Sequence, residues 1–201
     1  RIGLDDDSSI ENITFQNKPL VFYGTSITQG GCASRPGLAH TNIISRELGY
    51  ECINLGFSGN GHLESSIGAI MSDIDASLYV VECMYNVDKK MINQKTRSLI
   101  KAIRANPNSK NTPIVFMEQA VIDIGHINAE FISSVMGKNE ELNKQIQESI
   151  NGGEKNLFII KHTGAIDEDS EATVDGIHFN DLGFQRYAYH FLKNIKELDI
   201  L

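Results

Sequence analysis

From Pro19 to the C-terminus the chain repeats one pattern: a short apolar run without polar alternation, then a segment long enough to form a helix. The runs are Leu20-Val21-Phe22-Tyr23 ended by Gly24, Glu51-Cys52-Ile53-Asn54-Leu55, Ser77 to Cys83, Pro113 to Met117, and Asn156 to Ile160. A strand wetted on one face alternates apolar and polar residues. A strand covered on both faces does not, and it belongs to a parallel sheet with helices on either side. Helical spacing is read over about His40–Leu48 with Gly49 as the stop, around Leu63–Ser72, and over Lys89–Asn106 with Pro107 beyond its end. A long helix within about Ile127–Ile150 ends at Gly152-Gly153, and a closing helix runs from Asn180 or Asp181 to about Glu197. The pattern predicts a three-layer α/β/α sandwich on a five-stranded parallel sheet.

A length of 201 residues suits one ordinary domain, and 41% hydrophobic with 22% charged residues is a globular profile. Residues 1–18 have no apolar period and read as a solvated linker or strap, so residues 19–201 are the folded domain. The chain opens at Arg1 and its first residues lack the apolar core of a signal peptide, as expected for a trimmed part of a longer polypeptide. No run approaches the roughly 18 apolar residues that span a bilayer. A formal charge of −8 disfavours nucleic acid and anionic membrane surfaces as partners. Cys32, Cys52 and Cys83 show no CxxC spacing and are expected to be buried free thiols.

In open parallel sheets, ligands bind beyond the carboxyl ends of the strands. The first strand ends in Gly24-Thr25-Ser26-Ile27-Thr28, which places a serine where backbone N–H groups are unpaired and negative charge is favoured. Plain turn chemistry would use the same residues. The second strand leads to Gly56-Phe57-Ser58-Gly59-Asn60-Gly61, a loop whose glycines let backbone amides approach a ligand. Its G-x-x-G-x-G order is not the dinucleotide fingerprint, and no Walker loop occurs in the chain. After the third strand, Asn86 either offers its amide to an oxyanion or caps the following helix. Beyond the fifth strand, Asp175 and His178 are three residues apart, so the carboxylate can hold one ring nitrogen while the other faces the cleft. His40, His62, His126, His162 and His190 match no metal-ligand spacing and read as structural or surface residues. Arg35 and Glu118 are candidates either to touch substrate or to form surface ion pairs. Specificity is assigned to loops 31–40, 84–88, 118–130 and 163–174. Together the strand ends supply a nucleophile, a base, an orienting carboxylate and oxyanion donors, the inventory for acyl transfer.

These segments resemble the SGNH hydrolases, the GDSL esterase/lipase superfamily, over roughly residues 19–195. Gly24-Thr25-Ser26-Ile27-Thr28 is similar to the first block, Asn54 to Gly59 to the second, Asn86 to the asparagine of the third, and Asp175-Gly176-Ile177-His178 to the last. The chain departs from the family pattern at Thr25, usually Asp, and at Cys83-x-x-Asn86-Val87, where the family carries Gly-x-Asn-Asp. The resemblance implies a flavodoxin-like SGNH hydrolase fold and a serine ester hydrolase needing no metal or organic cofactor. It implies Ser26, Asp175 and His178 as the triad, and Ser26, Gly59 and Asn86 as the oxyanion donors. The longer stretches Phe22 to Ala33 and Thr173 to His178 are similar to a bacterial subgroup of SGNH esterases. Its members often carry an N-terminal β-sandwich domain and a secretion signal, which implies a periplasmic or secreted location. The implied substrate is a small-molecule or carbohydrate ester with a short acyl group, such as acetyl. Two other readings are a catalytically silent acyl- or glycan-binding module on the same scaffold and a flavodoxin-like nucleotide-binding protein.

Overall fold

A computed structural model describes residues 3–11, 14–121 and 128–201. Five strands, β1 (Leu20–Gly24), β2 (Cys52–Gly56), β3 (Leu78–Glu82), β4 (Ile114–Met117) and β5 (Leu157–Ile160), form one sheet in the order β2-β1-β3-β4-β5. Every pairing is parallel, with Gly24 level with both Gly56 and Glu82. The helices are α1 (Ser26–Gln29), α2 (His40–Leu48), α3 (Ser65–Ser72), α4 (Lys89–Ile103), α5 (Ala129–Asn151) and α6 (Asp181–Leu198).

Successive strand side chains point to opposite faces, so each strand feeds two cores. Leu20, Phe22, Leu78, Val80, Val115 and Met117 pack with α2 and α6. Val21, Tyr23, Tyr79, Val81, Ile114 and Phe116 pack with α3, α4 and α5. This is the three-layer α/β/α sandwich that the uninterrupted apolar runs predict. Strands β1, β3 and β4 are buried along their whole length, whereas the edge strands β2 and β5 are partly exposed.

Helix ends depart from the sequence reading for local reasons. The helix expected from Leu63 begins at Ser65, because Leu63 has a φ of 58°, outside the helical region. Helix α4 stops at Ile103 rather than Asn106. Asn106 instead has extended backbone and caps a short 3-10 turn over Pro107–Ser109, as a residue preceding proline favours. The start expected at Ile127 lies outside the described residues, as does His126; α5 begins at Ala129 behind the cap Asn128. Burial holds for Cys83 alone among the thiols, since Cys32 and Cys52 are half-exposed; all three are free. Described residues within 3–18 are exposed, and Lys18 pairs with Asp75 at 2.8 Å. Among the described residues no helix is long and apolar enough to cross a membrane, and no cluster of three His, Cys, Asp or Glu side chains could hold a metal.

Candidate active site

Ser26 is the first residue of α1, directly beyond the interior strand β1. The turn is built by a capping box: Thr25 Oγ1 accepts from Ile27 N at 3.4 Å, and Thr28 Oγ1 accepts from Thr25 N at 3.2 Å. Thr25, the departure from the family pattern, is therefore the cap of the serine's own helix. The turn permits no side chain at two of its neighbours. A Cβ on Gly24 would lie 2.0 Å from Thr28 Oγ1, and one on Gly56 would lie 2.2 Å from Gln29 N.

The loop after β2 is laid over the end of β1. Phe57 N donates to Gly24 O at 3.0 Å. A Cβ on Gly61 (φ 75°) would lie 2.3 Å from Gly24 O, so only glycine lets these backbones meet. The loop is fixed from below by the buried Tyr23, whose hydroxyl donates to Glu64, while His62 N donates to Glu64 Oε2 at 2.7 Å. Gly59 (φ 68°) has open space beside it. Asn86 follows a 3-10 turn over Cys83–Tyr85, and its Nδ2 donates at 2.5 Å to the carbonyl of Asn60, the residue after Gly59. Asn86 does not cap α4. Asp88 does, accepting from Met91 N at 2.7 Å.

Across the cleft, His178 Nε2 is 3.0 Å from Ser26 Oγ, and His178 Nδ1 is 2.7 Å from Asp175 Oδ2. The other carboxylate oxygen, Oδ1, accepts from Ile177 N at 2.9 Å and from the His178 backbone N–H at 2.7 Å. The hydrogen bond from the His178 ring, followed by that from its backbone N–H, lowers the Asp175 carboxyl to about 2, below the ordinary carboxylate range. Asp175 thus stays ionised and holds a proton on Nδ1. That leaves the Nε2 lone pair facing the serine hydroxyl, the arrangement of a general base beside a nucleophile.

The segment carrying Asp175 and His178 is held by α6. Val174 N donates to His178 O at 2.9 Å, and Asn180 N donates to Ala172 O at 3.0 Å. A Cβ on Gly183 would lie 2.1 Å from Ala172 O. Buried Phe179 packs against Phe184 and Tyr187 and anchors His178 beside it. Arg186 grips the preceding loop, with Nη1 and Nη2 each 2.7 Å from an Asp169 oxygen and Nε 3.0 Å from Asp167 Oδ2.

The sequence reading missed this clamp and the buried group beneath α1 formed by Thr28, Glu82 and His40. Its one available signal was a glutamate closing the apolar run Leu78 to Val81. Glu118 is buried and bonded to Lys161 Nζ at 2.9 Å, Asn143 Nδ2 at 2.6 Å and His162 N at 3.1 Å, so its carboxylate is committed within the protein. Arg35 is exposed. A cleft at the ends of β4 and β5, lined by Glu118, Met136, Asn139, Asn143, Lys161 and His162 among others, contains no member of the Ser26–His178–Asp175 chain.

A parallel sheet in the order 2-1-3-4-5 with a serine, a histidine and an aspartate hydrogen-bonded in line beyond its carboxyl edge defines a class of α/β proteins with hydrolase-like geometry. The model of the GDSL-like lipase/acylhydrolase family matches residues 17–196, and the chain belongs to that family. Among solved structures it is similar to a candidate GDSL-like lipase from Bacteroides ovatus, at 33% identity and a TM-score of 0.90 over 97% of this chain and 58% of that one. It is also similar to a salicylyl-acyltransferase of a tetracycline biosynthetic pathway, at 19% identity and a TM-score of 0.82 over 98% of this chain and 59% of the other. A family two carbohydrate esterase from Clostridium thermocellum shares the fold at 14% identity and a TM-score of 0.68, over 96% of this chain and 68% of that one. The chain thus spans under three fifths of the length of the first two. No curated protein sequence matches it.

Proposed function

We propose that this chain is a serine ester hydrolase acting on short acyl esters. The observation that carries the proposal is the continuous hydrogen-bonded chain from Ser26 Oγ through the His178 ring to Asp175, at 3.0 and 2.7 Å. His178 Nε2 takes the Ser26 proton as Oγ attacks the ester carbonyl, and Asp175 stabilises the imidazolium that forms. The negative charge on the carbonyl oxygen is received by the N–H of Ser26, unpaired at a helix start, by the N–H of Gly59 and by the second amide hydrogen of Asn86. The protonated His178 then gives its proton to the leaving alcohol. Water, with His178 again as base, releases the acid and restores Ser26.

Family membership supports acylhydrolase chemistry. The likeness to the carbohydrate esterase supports testing acetylated glycans as substrates alongside simple esters. Purified protein is expected to hydrolyse an aryl acetate faster than the octanoate and to do so in the presence of a chelator, and Ser26→Ala is expected to remove the activity. Full turnover by Ser26→Ala would refute the proposal. A well-folded wild-type protein that hydrolyses no ester in an acyl-chain and leaving-group screen would instead favour the silent binding module.

A further inference from the structure

We infer that Glu82 is a positioning residue for the nucleophile: its buried carboxylate, acting through Thr28, fixes the short turn that carries Ser26. The inference rests on the reading of Ser26 as the nucleophile.

Helix α1 has four residues. Isolated helices shorter than about 12 residues are marginal even in favourable sequences, so the orientation of α1 is imposed by its surroundings. Two contacts impose it. Asn54 Nδ2, on β2, donates to Thr28 O at 2.6 Å. Thr28 Oγ1 donates to Glu82 Oε2 at 2.9 Å while accepting from Thr25 N at 3.2 Å. Because the hydroxyl proton is committed to Glu82, the oxygen lone pair is aimed at the backbone N–H one residue before Ser26. Glu82 therefore sets the hydroxyl, the hydroxyl sets the cap, and the cap sets the serine.

Glu82 occupies an expensive position for a carboxylate. It is 3% exposed at the end of β3, level with Gly24. Burial of a charge is tolerated only where hydrogen bonds compensate it. The compensation comes from Thr28, from His40 Nε2, 2.9 and 3.2 Å from the two carboxylate oxygens, and from the buried Tyr187 hydroxyl. His40 is itself fully buried among Phe22, Phe184 and Tyr187, and its Nδ1 has no hydrogen-bond partner among the described residues. An apolar side chain would fill that box without stranding a nitrogen. What the histidine adds is the Nε2 donor to Glu82, so the site retains a buried imidazole in order to hold a buried carboxylate beneath the nucleophile.

The test uses Thr28→Val, Thr28→Ser and Glu82→Gln in the full chain. For each, kcat and KM on an aryl acetate and the inactivation rate by a fluorophosphonate are measured below the melting temperature, with far-UV circular dichroism as the folding control. Thr28→Val keeps the shape and removes the hydroxyl. It is expected to lower kcat and the inactivation rate together by about 10- to 100-fold, the scale of an ångström-level misplacement, with little change in KM. Thr28→Ser is expected to restore most of the rate, and Glu82→Gln to resemble Thr28→Val. Should Glu82→Gln fail to fold, the valine and serine pair still decides the matter. Folded Thr28→Val with kcat and inactivation rate within twofold of wild type would overturn the inference while leaving Ser26 as nucleophile. Absence of any fluorophosphonate reaction in the wild type would overturn both.

Discussion

Ser26 and His178 meet across 3.0 Å, but the segments that carry them differ in how much of their support lies at the surface. On the serine side, β1 and Thr25, Thr28, His40 and Glu82 are almost wholly buried, glycines at 56 and 61 let backbones touch, and Gly24 makes way for the Thr28 side chain, none with room for a methyl group. On the histidine side, the Asp175 and His178 side chains are 48% and 32% exposed, and the loop before them is fastened by surface ion pairs to Arg186. Close packing in a dry interior resists displacement because any shift strands a polar group or creates overlap. Exposed ion pairs are individually weak and screened by salt. The comparison teaches that the segment carrying Ser26 is packed tightly on every side, while the segment carrying Asp175 and His178 is anchored by buried Phe179 on one flank and by surface ion pairs on the other, so its outer flank can be loosened at less cost to the fold.

The largest effect that sharpens this contrast is chemical rather than structural. Asp175→Asn keeps the shape of the surface segment but reverses the preferred ring tautomer. It is expected to lower kcat by about 10,000-fold, while costing only the modest stability that the ionised carboxylate contributes. Next comes the rigid side. Gly61→Ala puts a methyl group 2.3 Å from Gly24 O at a φ of 75°, and it is expected to destabilise the fold by about 1–3 kcal/mol or more in a denaturant titration. On the base side, Arg186→Ala is expected to change stability by less than about 1 kcal/mol. It should lower kcat more than it lowers the melting temperature, and moderate salt should mimic it in the wild type. A large stability loss in Arg186→Ala would erase the distinction between the two sides.

The smallest effect is in pH dependence. The side-chain hydrogen bond from His178 lowers the Asp175 carboxyl to about 2, and that from Arg186 does the same for Asp169. A carboxylate depressed in the native state stabilises it above the unfolded value of about 3.9, and that contribution is lost as pH falls toward 2. Loss of stability from these groups is therefore confined to pH below about 4. Any acid limb of activity above that pH arises elsewhere than in Asp175. A proton titrating Asp175 near pH 5 in an NMR series would contradict this.

The parts of this molecule legible in the sequence are those in which one segment carries its own evidence. Strands covered on both faces leave apolar runs such as Leu78 to Val81; the serine, glycine-rich and asparagine segments each sit just past such a run, and the Asp-x-x-His segment follows the last run across a polar loop. The start of α3 was not legible, because a leucine carries no local sign of the positive φ that Leu63 adopts. The support beneath Ser26 was not legible either. Thr28 and Glu82 are 54 residues apart, Glu82 and His40 are 42 apart, and only the level pairing of Gly24 with Glu82 makes them neighbours. Taken singly, a threonine in a turn, a glutamate at a strand end and a histidine at a helix start are ordinary residues.

The central claim is that Ser26 is made nucleophilic by His178 and Asp175, and covalent labelling tests it most directly. Wild-type protein, Ser26→Ala and His178→Asn are incubated with a fluorophosphonate, and the adduct is located by peptide mass spectrometry. The account predicts one adduct, on the peptide containing residue 26, formed quickly in the wild type, absent in Ser26→Ala and slowed by orders of magnitude in His178→Asn. An adduct on a different serine, or equal labelling of Ser26 with and without the imidazole, would contradict it.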